Sequence, residues 1–178
     1  MTSVPHPPAC ETACVAAYIA IGANLGDPVA TVHAAIAALR DIPGARLLAA
    51  SPLYRTAPVG LRAQPDFINA VVAMAVDAAV LPAPTFIARL FAIEAAFGRT
   101  RSPDGTRNAP RTLDLDLLLF GVERHATPEL TLPHPRMAER AFVLAPLADI
   151  APDLLVPGRG RVADLLAAVA DQRIERLA

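Results

Sequence analysis

Along this chain, apolar and polar positions recur with two alternating periods. "VAAYIAI" (Val15 to Ile21) reads as a short apolar strand that ends in the turn chemistry of "GANLGD". Asp27 is a good N-cap and Pro28 suits a first helical position. Val29, Val32, Ile36 and Leu39 then recur at helical spacing until Pro43 and Gly44 stop the run. A second strand is expected from about Arg46 to Tyr54, on an edge because Pro52 has no N–H for a ladder. The loop Arg55 to Asp66, with two prolines and a glycine, is longer than a hairpin needs. A third strand, Phe67 to Val76, begins with Phe67 and Asn69 on one face. The helix of about Thr85 to Phe97 puts Phe86, Leu90, Ile93 and Phe97 on one side and ends at Gly98.

The next strand carries the question. In "RTLDLDLLLFG" (Arg111 to Gly121), side chains alternate between faces, so Leu113, Leu115 and Leu117 share one face and Asp114 and Asp116 the other. At about 3.3 Å per residue the two aspartates stand roughly 7 Å apart along the backbone. Like charges on one strand face repel unless a cation lies between them. Half-exposure of the strand and a metal seat both satisfy that requirement at this stage.

The order strand, helix, strand, strand, helix, strand predicts an α+β, ferredoxin-like βαββαβ core: an antiparallel sheet with helices packed on one face. A C-terminal extension follows. Glu129 to Leu132 is expected to add an edge strand, Pro135 to open a short helix, and Val162 to Val169 to form a closing helix. Residues 1–14, with three prolines, read as a flexible tail, and residues 15–178 as one domain.

Composition narrows the chemistry. All 16 basic residues are arginine, which excludes any site built on a lysine, whether a Walker loop or a Schiff base. Phosphate, if bound, must be met by arginine forks, backbone or metal. A net charge of -1 argues against a broad nucleic-acid footprint, and no apolar run is long enough to span a bilayer. Cys10 and Cys14 have only His6 nearby and no second Cys/His cluster, so a structural zinc is not expected. With no secretion signal, free thiols in a cytoplasmic protein are expected.

The loop "GRTRSPDGTRNAP" supplies Arg99, Arg101 and Arg107, and Arg111 follows directly before the aspartate strand. Cationic clamps emptying into paired carboxylates are the two elements phosphoryl transfer needs. RNA recognition on a ferredoxin-like sheet would want stacking aromatics rather than phosphate-repelling carboxylates. A ligand-sensing module would not need the aspartates and the arginine loop together.

Five stretches in order, "YIAIGANLGD", "SPLYRTAPVG", "QPDFINAV", "PRTLDLDLLLFG" and "LPHPRMAERAFVLAPL", closely resemble the 6-hydroxymethyl-7,8-dihydropterin pyrophosphokinase family over about Ala16 to Pro157. The resemblance implies a monomeric enzyme of folate biosynthesis that moves the terminal diphosphate of ATP onto a pterin hydroxymethyl group and releases AMP. It implies that Asp114 and Asp116 hold two Mg2+ ions and that Arg99 and Arg111 are catalytic. Arg101, Arg107, His134 and Arg140 would position ATP, with Glu94 at the nucleotide site. Phe67 and Phe142 would sandwich the pterin, and Asn69 with backbone near Thr56 and Val59 would bond its edge. Asn108 stands where part of the family has tryptophan, and the arginine loop is about two residues longer, so closure of that loop is expected to differ.

Overall fold

The computed structural model describes residues 14–58, 64–99 and 112–177. Strand β1 is Cys14–Ala23, followed by helix α1, Pro28–Arg40, then β2, Ala45–Ala50, β3, Tyr54–Thr56, and β4, Phe67–Asp77. Helix α2 is Ala83–Ala96 and β5 is Asp114–Phe120. Beyond them come β6 (His125–Ala126), β7 (Thr131–Leu132), a 3-10 turn (Met137–Glu139), α3 (Ala141–Ile150), β8 (Leu155–Val156), β9 (Gly160–Arg161), α4 (Val162–Ala167) and β10 (Glu175–Arg176).

The main sheet runs β10-β3-β4-β1-β5, with β2 also on β4, and every pairing in it is antiparallel. With β2 and β3 counted together as the second strand, this is the ferredoxin-like order expected from the sequence. Period-2 alternation splits the sheet into two faces. Ile19 and Ile21 of β1, Ile68, Val72 and Met74 of β4, and Leu115 and Leu117 of β5 pack under α1 and α2. Val71, Leu118 and Leu119 face the other way, against Val143, Leu144 and Leu147 of α3. The two helices of the βαββαβ core thus share one face, as expected, and α3 of the C-terminal extension adds cover on the other. Because α3 shields only part of the second face, the aspartates and Asn69 are left on the part that stays open.

Local chemistry explains most element ends. The Asp27 carboxylate accepts the Ala30 N–H at 3.0 Å, capping α1, whose buried face is Val32, Ala35, Ile36 and Leu39. Val29, expected on that face, is exposed. The strand expected over 46–54 is two strands. Pro52 breaks the ladder, and the Ser51 hydroxyl bridges the gap by accepting the Val71 N–H at 3.0 Å. Arg55 and Thr56, expected in a loop, are thereby in β3. The strand expected over 129–132 shortens to β7, which pairs with β6 in a separate hairpin rather than extending the main edge. Cys14, assigned to the tail, is the first residue of β1, paired with Asp77.

Candidate active site

The sheet register brings the functional side chains together. Gly22 of β1 pairs with Asn69 on one side and Asp114 on the other, and Ala20 pairs with Val71 and Asp116. Two small residues thus form a floor between the β4 amide and the β5 carboxylates, which lie two strand spacings apart, about 10 Å. Above this floor is a cavity of about 300 Å³ lined by Thr56, Gln64, Phe67, Asn69, Asp114, Asp116, His134, Arg136, Arg140 and Phe142 among others. A methyl group added at Gly22 would stand 3.3 Å from Asn69 Oδ1, so the glycine keeps the floor flat.

At one end, Phe67 and Phe142 are both half-buried and reach the cavity from different elements. Asn69 donates from Nδ2 to Thr56 Oγ1 at 2.8 Å, and both side chains are buried. That bond fixes the amide with its oxygen near the floor. Asn24, also buried, donates to Gln64 Oε1 at 3.1 Å and to the Pro65 carbonyl at 3.2 Å, tying the β1 turn to the segment that precedes Phe67.

The other end is ionic. Gly98, at φ 77°, turns the chain after α2 so that the Arg99 N–H returns to the Glu94 carbonyl at 3.1 Å. The Arg99 guanidinium then bridges the Glu94 carboxylate and Asp114, the latter at 2.5 Å. Glu94 is only 2% exposed and also accepts the Leu115 N–H at 2.7 Å. It sits on the core face of α2 in line with Phe86 and Leu90, where it anchors Arg99 and β5, and it does not line the cavity. Asp116 faces His134 Nε2 at 3.9 Å and Arg140 at 4.0 Å. The His134 backbone N–H donates to Leu118 O at 2.9 Å, which fixes this loop beside β5. Arg140 also lies over the Phe142 ring, 5.3 Å from its centroid.

His134 is held neutral. Burial lowers its pKa to about 4, and Arg140 and Arg136 reinforce the shift. Its Nδ1 accepts the Arg136 N–H at 3.3 Å, which leaves the proton on Nε2, directed at Asp116. The pair is a neutral donor facing a carboxylate rather than an ion pair.

The donor set suits magnesium. Asp114 and Asp116 present hard oxygens to the cavity. A pair of carboxylates matches a cation that keeps waters and substrate phosphates in its shell. The Arg99 guanidinium on Asp114 marks the place as one where positive charge is stable.

Of the residues singled out in the sequence, Thr56, Phe67, Asn69, Asp114, Asp116, His134, Arg140 and Phe142 meet at this cavity. Arg99 reaches it through Asp114. Val59, Arg101, Arg107 and Arg111, like Asn108 and Cys10, lie outside the described residues. Sequence reasoning missed Gln64, Arg136 and the Ala20–Gly22 floor. Small residues at alternate positions of β1 were the signal for the floor.

An antiparallel α+β sheet that carries paired carboxylates, arginines and two phenylalanines in one cavity fits a phosphoryl-transfer class of enzyme. The chain matches the family model "7,8-dihydro-6-hydroxymethylpterin-pyrophosphokinase (HPPK)" over residues 18–152, and it belongs to that family. It is 46% identical to the 2-amino-4-hydroxy-6-hydroxymethyldihydropteridine pyrophosphokinase of Pseudomonas aeruginosa, over 90% of this chain and 95% of the relative. It is 37% identical to the Haemophilus influenzae enzyme of the same name, over 92% and 98%. The fold is similar to the crystal structure of wild-type Plasmodium falciparum HPPK-DHPS, with a TM-score of 0.67 at 12% identity over 92% of this chain. This chain spans 46% of the length of that one.

Proposed function

We propose that this chain transfers diphosphate from ATP to the hydroxymethyl group of 6-hydroxymethyl-7,8-dihydropterin and releases AMP, a step of folate biosynthesis. The observation that carries the reading is the joining, in one cavity of about 300 Å³, of a two-aromatic slot with paired carboxylates and cations. A flat heteroaromatic ring fits between Phe67 and Phe142, with its polar edge on Asn69, Thr56 and the Val59 backbone. ATP is the co-substrate.

The ring, so held, directs its hydroxymethyl oxygen toward the β5 carboxylates. That oxygen forms a bond to the β-phosphorus and gives up its proton to water, the bond from this phosphorus to the α,β-bridging oxygen breaks, and the bridging oxygen leaves with AMP. Asp114 and Asp116 are the seat for two Mg2+ ions, which when bound neutralise phosphate charge and polarise the attacking hydroxyl. Arg99 and Arg111 stabilise charge on the moving diphosphate. Arg101, Arg107, His134 and Arg140 orient ATP, and the neutral His134 donates from Nε2 to a phosphate or ribose oxygen without adding charge. Glu94 acts through Arg99, by fixing where its guanidinium sits. The monomeric state and the cytoplasmic location that the family resemblance implies belong to this proposal. Among the described residues no helix is long and apolar enough to cross a membrane.

The test is AMP formation by the purified protein. AMP should appear only when magnesium, ATP and hydroxymethyl-dihydropterin are all present. AMP release independent of the pterin, or none at all with every component present, would overturn the reading.

A further inference from the structure

The family match ends at residue 152, yet the segment that follows α4 bonds to residues next to both walls of the cavity. Helix α3 begins at Ala141 with Arg140 at its N-cap position, and no local side chain caps it. The cap comes from 31 positions away: Gln172 accepts the Ala141 N–H at Oε1, 2.9 Å. The same amide donates from Nε2 to the Glu139 carbonyl, also at 2.9 Å. Gln172 therefore holds the peptide groups on either side of Arg140, whose side chain reaches Asp116 and lies over Phe142.

A few residues on, β10 joins the main sheet beside β3, pairing Arg176 with Tyr54 and Glu175 with Arg55. The Leu177 N–H adds a bond to Leu53 O at 2.8 Å. The Tyr54 hydroxyl donates to Asp149 of α3 at 2.7 Å, and Arg176 approaches the other oxygen of that carboxylate at 3.7 Å. Burial and the bond to Asp149 raise the Tyr54 pKa to about 12, so the phenol stays a donor across the physiological range. Tyr54 lies two positions before Thr56 on a strand of three residues, and Thr56 is what orients Asn69. Ile174 and Leu177 pack against the two hydrophobic cores on opposite faces of the sheet, which seats the segment between its contacts.

We propose that residues 172–177 form a strap that sets the geometry of the cavity from outside it, Gln172 positioning Arg140 and Phe142, and β10 with the Tyr54–Asp149 bond positioning Thr56 and Asn69. This rests on the substrate assignment above, since it predicts which ligand each half of the strap serves. Gln172 serves both ligands, because Arg140 is a nucleotide residue and Phe142 a wall of the pterin slot. The Tyr54–Asp149 half serves the pterin alone.

The experiment is calorimetric titration of hydroxymethyl-dihydropterin and of magnesium with a non-hydrolysable ATP analogue, at a temperature well below the melting point of each variant. Gln172→Met keeps length and bulk but loses both hydrogen bonds, and should weaken both ligands about tenfold, the scale of one well-placed hydrogen bond. Tyr54→Phe should weaken the pterin about fivefold and leave the nucleotide analogue unchanged. Gln172→Glu retains the acceptor for the Ala141 N–H and should fall between wild type and Gln172→Met, which also covers the case in which Gln172→Met does not fold. Wild-type affinities in the folded variants, or equal loss for both ligands in Tyr54→Phe, would overturn the strap, because a merely structural contact lowers only the melting point. A wild-type chain that binds neither ligand would overturn the substrate assignment, and the strap's purpose with it.

Discussion

The two ends of the cavity are built in opposite ways. The centre of the ionic end is nearly contiguous: Asp114 and Asp116 lie on one face of one strand, Arg99 comes from the turn that ends the helix packed beside it, and only His134 and Arg140 join from the segment before α3. The aromatic end draws Thr56 from β3, Phe67 and Asn69 from β4, and Phe142 from α3, elements up to 86 positions apart in sequence. On the proposed roles, reaction chemistry sits where one strand and one helix end set most of the geometry. Substrate selection would sit where tertiary packing sets it, so the two ends should fail differently when perturbed.

The largest effect is expected at the ionic end. Asp116→Ala should lower turnover by about a thousandfold or more, the scale of losing a metal seat, with little change in melting point because the side chain is partly exposed. An active, magnesium-dependent variant in steady-state assays would remove the carboxylate from the mechanism. Arg99→Ala should lower kcat by about a hundredfold while ATP affinity changes much less. It should also lower stability in urea unfolding, because the Glu94 carboxylate, 2% exposed, loses the guanidinium that joins it to Asp114. A defect confined to ATP affinity would contradict the assigned role.

At the aromatic end the response should appear in binding. Phe142→Ala should weaken the pterin by about tenfold to a hundredfold and the nucleotide by much less, as read by separate titrations. Gly22→Ala, whose methyl would press on Asn69 Oδ1, should raise the pterin KM a few-fold, about 1 kcal/mol, with kcat nearly unchanged. An equal effect on both substrates would erase the distinction between the ends.

The smallest effect concerns pH and the ligand-free fold. The unfolded chain protonates His134 below about pH 6.5, but the folded chain resists until about pH 4. The folded pKa is depressed, so this residue's contribution is intact above pH 6.5 and is lost as pH falls through that window. His134→Gln should flatten the slope of melting temperature against pH between 6.5 and 4.

The contrast also explains what could be read from the residues. The β5 alternation, the Asp27–Pro28 helix start and the Gly98 stop are local rules, and each appears where it was expected. The aspartates were visible because charge on an apolar strand breaks a local rule. The aromatic slot was visible only through the family resemblance, since a half-buried phenylalanine looks like core in any single window. Pro52 was read as an edge marker, and β2 does pair with β4 alone, but Pro52 also divides the strand, where the Ser51 hydroxyl replaces a ladder acceptor. Glu94 shares the helical spacing of Phe86 and Leu90, yet burying a carboxylate there depends on Arg99 returning through the Gly98 turn. β10 and the Gln172 cap had no local signal, since two-residue strands and long-range caps exist only once the sheet has formed.

Central to the account is that the β5 carboxylates are a seat for cations shared with the triphosphate. Anomalous diffraction from crystals grown with manganese, a non-hydrolysable ATP analogue and the pterin tests this directly. Manganese peaks should lie in contact with both Asp114 and Asp116 and with phosphate oxygens, Arg99 having left Asp114 for the phosphates. Manganese bound elsewhere, with Asp114 still on Arg99 and Asp116 facing only His134 and Arg140, would contradict it.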